Sequence, residues 1–196
     1  MALTHSTTQL RRAKYSAFTA AKYSSGVSTA ASVNTWLNAD GHKVYGTFRK
    51  ECERIPGVTY LKADVRNEND CKAAVDSVVA AEGRIDGVIN NAGMGIGGPL
   101  EFCSLEDAGL QMDTNFMGMV RFLHFVPPVM RNQGSGKILC FSSIGGLMGL
   151  PFQGLYSASK FAIEGYCEAL RMEVKGFGID VVVIEPGDFA TKFTAQ

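Results

Sequence analysis

GKILCFSSIGGLMGLPFQGLYSASKFAIEGYCEALRMEVKGFGIDVVVIEP, residues 136–186, reads as a strand, a helix and a second strand in that order. The two ends, 136–143 and 179–186, are short runs rich in β-formers. Between them Phe161, Tyr166, Leu170 and Val174 recur at helical spacing, and the pattern stops at Gly176 and Gly178. A helix between two strands gives the chain the length to return and lay the second strand parallel to the first, which a tight turn cannot do. The same alternation extends upstream through strand candidates at 42–48, 58–65 and 84–90. The expectation is an α/β protein with five parallel strands in a doubly wound sheet.

The intervening segments carry helix punctuation. Asn67 is placed to cap a helix, with Asp70 three residues on and a stop at Gly83; Ser104 and Asp107 repeat the device. The helix beginning after Ser104 contains Pro127 and Pro128, which predict a kink near its far end. Of the 22 glycines, 18 lie after residue 82, clustered at NAGMGIGG, SSIGGLMG and EPGD. These clusters come directly after strand candidates, where doubly wound sheets place their ligand-binding loops.

At 196 residues and 46% hydrophobic, the chain is long enough for one domain with a sizeable core. Lys plus Arg equals Asp plus Glu, 19 each, a balance that argues against nucleic acid or an anionic membrane as partner and favours a small molecule. No apolar run approaches the ~20 residues of a membrane span. The five cysteines have no CxxC pair and the three histidines are scattered, so no metal site is expected and the thiols read as reduced, in a cytoplasmic protein. The first acidic residue is Asp40; the Ser/Thr-rich, basic segment before it also matches the composition of an organellar transit peptide.

The chemistry is concentrated in YSASK. On a helix, Tyr156 and Lys160 at i and i+4 share one face, about 5 to 6 Å apart at Cβ. A neighbouring ammonium and a helix N-terminus both favour a phenolate, which is how a tyrosine becomes a general acid/base. The alternative is an exposed helical pair. Company decides between them: Ser143 ends the preceding strand thirteen residues earlier, Asn115 lies in the proline-bearing helix, and INNAG, 89–93, closes the strand before it.

NNAG, a helical Asn, Ser with YxxxK, and PGDFAT, in that order over residues 41–196, resemble the short-chain dehydrogenase/reductase family. The resemblance implies a Rossmann-type sheet, a nicotinamide cofactor, and hydride transfer between a secondary alcohol and a carbonyl. It makes Tyr156 the acid/base, Ser143 the group that polarises the carbonyl oxygen, and Lys160 the ligand of the nicotinamide ribose. Asn115 would anchor a proton relay through a backbone water. Ala92 and Gly93 would let backbone approach the cofactor, Asn90 and Asn91 would brace the central strands and the adenosine half, Asp64 would accept from the adenine amino group with Val65 against the ring, and Pro186, Gly187 and Thr191 would line the nicotinamide carboxamide and pyrophosphate side. The second strand ends in TFRK, and a basic Arg49 there suits the 2′-phosphate of NADP(H) rather than the free 2′-OH of NAD(H).

The sequence departs from the family at both ends. Where TGxxxGxG should come after the first strand, AAKYSSGVSTAAS (20–32) keeps only Gly26, and nothing before it has the apolar run of a buried parallel strand. Residues 1–35 therefore read as an irregular or non-homologous segment and 36–196 as the catalytic core, in an incomplete sheet with a doubtful first strand and without the last strand or substrate lid. Two functional expectations result: an NADP(H)-dependent oxidoreductase acting on an apolar substrate against MGIGGPLEF and IGGLMGLPF, or an inactive or truncated relative with impaired cofactor binding. The family resemblance also implies a homodimer or homotetramer, with Phe116, Met119, Phe122 and Tyr166 shared between core and interface.

Overall fold

Six strands, one more than the sequence pattern predicts, form the sheet in the computed structural model, which describes residues 16–20, 35, 37–50 and 54–187. They are β1 (Ser16–Ala20), β2 (Lys43–Phe48), β3 (Val58–Lys62), β4 (Gly87–Asn90), β5 (Gly136–Phe141) and β6 (Ile179–Ile184). All pairings are parallel, in the order β3-β2-β1-β4-β5-β6. The doubtful first strand is thus corrected: SAFTA sits at the centre, with Phe18 opposite Tyr45 of β2 and Val88 of β4. Backbone pairing on both edges holds a five-residue strand whose composition alone does not announce it. The rest of AAKYSSGVSTAAS, Thr191 and Cys52 lie outside the described residues.

The punctuation is used as written. Helix α1 (Glu68–Glu82) is capped by Asn67, whose side chain accepts from the N–H groups of Asn69 and Asp70, and ends at Gly83 in the left-handed conformation with φ 72°. Ser104 caps α2 (Leu105–Met112) by accepting from Asp107 N–H. A π-helical turn, Asp113–Met117, then leads into α3 (Gly118–Gln133), with Gly118 N–H bonded to Asp113 C=O. Pro127 and Pro128 lie within α3, and the irregularity falls well before the prolines, at the π-turn. Helix α4 (Gly154–Val174) carries the YSASK motif on its first turns.

The core lies between the sheet and these helices. Val88, Ile138 and Cys140 from the strands meet Val78, Phe122, Val126, Met130 and Cys167 from the helices, all fully buried. Met119 and Phe122 belong to this core, which corrects their assignment to a shared interface; Phe116 and Tyr166 are half-buried and pack edge to face. Cys71, Cys140 and Cys167 are buried free thiols. Among the described residues no helix is long and apolar enough to cross a membrane, and no group of three metal-ligating side chains occurs.

Candidate active site

The strand order reverses between β1 and β4, and in an open parallel sheet the crevice beyond the carboxyl ends of the strands at that point is where ligands bind. An open crevice begins there, lined by Arg49, Asp64, Val65, Arg66, Ala92 and Met94 among others. Arg49 comes just after β2, and its guanidinium stands 4.0 Å from the Asp64 carboxylate. Asp64 is not free: Arg66 holds it with two charge-assisted bonds of 3.1 and 2.8 Å, which keep its carboxyl below the usual range. Val65 packs so closely on Gly118 that a Cβ there would meet its side chain at 2.8 Å. Arg121 of α3 donates to the Val65 carbonyl at 3.3 Å and pairs with Asp113 at 2.6 Å, tying this side of the crevice to the π-turn.

The catalytic candidates come together further along the same edge. Ser143 lies just beyond β5, and its Oγ accepts from Gly145 N–H at 3.1 Å, opening a short helical turn, Ile144–Gly146. The side chains of Ser143 and Tyr156 are hydrogen-bonded. Burial pushes the phenol of Tyr156 above its ordinary pKa, and the bond to Ser143 opposes this without reversing it. This departs from the expected stabilisation of a phenolate. The Lys160 ammonium is 5.6 Å from the centre of the Tyr156 ring and is directed to the Phe141 carbonyl, to which it donates at 2.7 Å. Buried almost completely, Lys160 has its pKa lowered to about 8, chiefly by desolvation, with Cys140 and Glu164 acting in the other direction.

Asn115 sits in the π-turn, where such irregularities widen a helix and re-aim side chains at functional sites. Its Oδ1 accepts from Met94 N–H at 2.8 Å, and its Nδ2 donates to Met94 C=O at 2.9 Å and to Ser159 Oγ at 3.0 Å. Ser159 in turn donates to the Tyr156 carbonyl at 2.7 Å. A Cβ on Gly93 would meet Asn115 Oδ1 at 3.4 Å and Lys160 Nζ at 3.9 Å, so the backbone there lies against both side chains. Asn90 bridges β4 to β5 through Cys140 Sγ at 3.5 Å, and Asn91 and Ala92 come next, half-buried. On the far side Ile144 N–H donates to Pro186 C=O at 3.2 Å, and Gly187 faces the Ile144 side chain.

The same chain has recognisable relatives among known proteins. A family model described as short chain dehydrogenase matches residues 17–196. The chain belongs to the short-chain dehydrogenase/reductase family. It is 52% identical over 158 residues to a 3-ketodihydrosphingosine reductase of Bacteroides thetaiotaomicron, a match covering 81% of this chain and 59% of that protein. It is 44% identical over 133 residues to 17-beta-hydroxysteroid dehydrogenase type 1 of Homo sapiens, covering 68% and 40%. The chain therefore spans about half the length of these curated relatives. A solved short-chain dehydrogenase from Streptomyces avermitilis superposes with a TM-score of 0.83 at 27% identity, over 91% of this chain and 68% of its own. The family matched is the one the ordered motifs implied, and its match begins at β1, inside the N-terminal segment set apart on sequence alone.

Within this candidate site, sequence reading missed three side chains. Arg66 clamps Asp64, Ser159 links Asn115 to the backbone of Tyr156, and Gln111 bonds the loop after β4. Gln111 lies four residues before Asn115, so a shared helical face was the available signal.

Proposed function

We propose that the protein is an NADP(H)-dependent oxidoreductase that interconverts a secondary alcohol and a carbonyl on an apolar substrate, with Tyr156 as acid/base. The observation that carries this reading is the hydrogen-bonded pair Ser143–Tyr156, with Lys160 buried beside the phenol. With a carbonyl substrate bound, these two neighbouring hydroxyls could each turn a proton to one lone pair of its oxygen. Burial keeps the phenol protonated at neutral pH, the form needed for reduction.

The residues lining the crevice fit a nicotinamide dinucleotide. Arg49 at the end of β2 suits a 2′-phosphate, Val65 and Ala92 flank the crevice where a flat base would lie, and Gly93 leaves room for backbone approach. When bound, the reduced cofactor supplies a hydride to the carbonyl carbon. Tyr156 then gives its phenolic proton to the carbonyl oxygen, and Ser143 hydrogen-bonds that oxygen as charge develops on it. Lys160, its pKa lowered by burial to about 8, would meet the ribose hydroxyls of the bound cofactor. Asn115 holds the Met94 backbone and, through Ser159, the first turn of α4.

An apolar substrate is supported by the exposed side chains of Leu100, Phe102, Leu147, Met148 and Phe152 on the loops that flank these hydroxyls. Leu100 packs where a Cβ on Gly154 would stand, two residues before Tyr156. The two curated relatives are named for a keto or hydroxyl group on a lipidic body, which points the same way. The free buried thiols suit the reducing cytoplasm.

The test is NADPH oxidation, monitored by absorbance, against long-chain and polycyclic ketones, with Tyr156→Phe as control. Loss of about 10²–10⁴-fold in kcat is expected, with NADPH binding retained. Turnover that survives the substitution refutes the role of Tyr156, and a chain that binds no NADPH is an inactive relative.

A further inference from the structure

We infer that Gln111 is a positioning residue that fixes the loop Met94–Ile96 beside Asn115 at the candidate site, an inference that rests on the function proposed above. The loop after β4 runs Met94, Gly95, Ile96, Gly97, Gly98, three glycines in five residues, and so has few side chains of its own to anchor it. Its backbone has left the sheet, and half-buried N–H and C=O groups need partners. Two amide side chains, one turn apart, supply them. Gln111 Nε2 donates to Met94 C=O at 2.6 Å, and Gln111 Oε1 accepts from Ile96 N–H at 2.7 Å. Asn115 takes Met94 N–H and shares Met94 C=O.

A carbonyl and the N–H two residues on are what a neighbouring strand would satisfy. Gln111 thus stands in for a strand where the sheet has ended. It is wholly buried, a position that an unpaired amide would make costly. Opposed bonds to a donor and an acceptor also fix which way its amide faces.

The held segment is connected to the chemistry. Two residues past Ile96, Gly98 N–H donates to Phe152 C=O at 2.7 Å. Phe152 has φ 62°, a left-handed conformation that disfavours a bulky side chain, so its placement is maintained by its surroundings. Four residues later in sequence comes Tyr156. The loop therefore joins Gln111 at one end to the start of α4 at the other. Met94 also lines the crevice beside Arg49 and Asp64, so removing Gln111 should loosen the loop on the cofactor side as well as toward the start of α4.

The experiment compares the unaltered protein with Gln111→Leu and Gln111→Glu, measuring ketone KM and kcat, NADPH affinity, and amide hydrogen exchange across residues 94–98. Leucine removes both bonds; glutamate retains the acceptor for Ile96 and loses the donor to Met94. For Gln111→Leu, ketone KM should rise about tenfold and exchange at Ile96 quicken about tenfold or more, with a smaller loss of NADPH affinity and kcat within about threefold. Gln111→Glu should move both readouts at least as far, because a buried carboxylate oxygen would face the Met94 carbonyl oxygen. An active parent whose KM and Ile96 exchange are unmoved in both variants overturns the inference alone, as does a folded variant that loses kcat about tenfold or more. If Gln111→Leu does not fold, Gln111→Glu and the exchange of Ile96 in the parent decide, and an unprotected Ile96 amide is refutation. A parent that reduces no ketone overturns the proposed function and this inference with it.

Discussion

Replacing Lys160 by Met should change how stability depends on pH, by an amount set by its burial. Lys160 is 6% exposed and its pKa falls from 10.5 to about 8 on folding. Between those values the native chain binds fewer protons at this site than the unfolded chain, so stability rises with pH through that window. At pH 7 the ammonium is charged in both states, and the fall in pKa corresponds to about 3 kcal/mol of destabilisation carried by the buried charge. Met cannot donate to the Phe141 carbonyl, a loss of about 1–3 kcal/mol that is independent of pH over this range. At neutral pH the two proteins should then differ little, with Lys160→Met level or more stable. Raising the pH to about 10 should move the difference by about 2–3 kcal/mol in favour of the unaltered chain. Urea unfolding of both proteins at intervals from about pH 7 to pH 10 measures this, and taking the difference cancels groups that titrate alike in both. A difference that stays flat to within about 0.5 kcal/mol across the range refutes the assignment of a buried, charged Lys160.

Other outcomes stem from equally local features. Gly178→Ala should lower stability by about 2 kcal/mol or more, read as a fall in Tm, because φ is 71° there and a Cβ would press into the Gly134 carbonyl oxygen. Arg49→Glu should reverse or abolish a preference for NADPH over NADH, shifting the ratio of kcat/KM by about tenfold or more; an unchanged ratio removes Arg49 from 2′-phosphate recognition.

The helix caps, the parallel alternation and the grouping of Ser143, Tyr156, Lys160 and Asn115 were legible because each rests on local spacing or on an ordered set of motifs. Asn67 and Gly83 bound α1 where the pattern placed them. The strand SAFTA was not legible, since its place depends on pairing with β2 and β4, partners distant in sequence. The π-turn left no trace either: the helical spacing of apolar residues is interrupted by one residue, which a pattern read over longer windows absorbs. Nor could spacing tell which effect would dominate at Tyr156. Phenolate stabilisation by Lys160 was the reasonable expectation, but burial raises the phenol's pKa and the ammonium is turned to the Phe141 carbonyl. Gln111 read as one polar residue among others on a helix until the loop it bonds was placed beside it.

The π-turn also bears on which changes in chain length this protein can tolerate. Its helix carries one residue more there than α-geometry requires, so deleting a residue between Asp113 and Met117 could leave a continuous, well-bonded α-helix. Such a deletion would rotate α2 by about 100° relative to α3, the angle of one residue in an α-helix. Gln111, carried on α2, would then be turned relative to the part of the site that α3 carries. At this position in the chain a shortened sequence could fold and yet have no assembled site, so the surplus residue belongs to the function rather than to the fold.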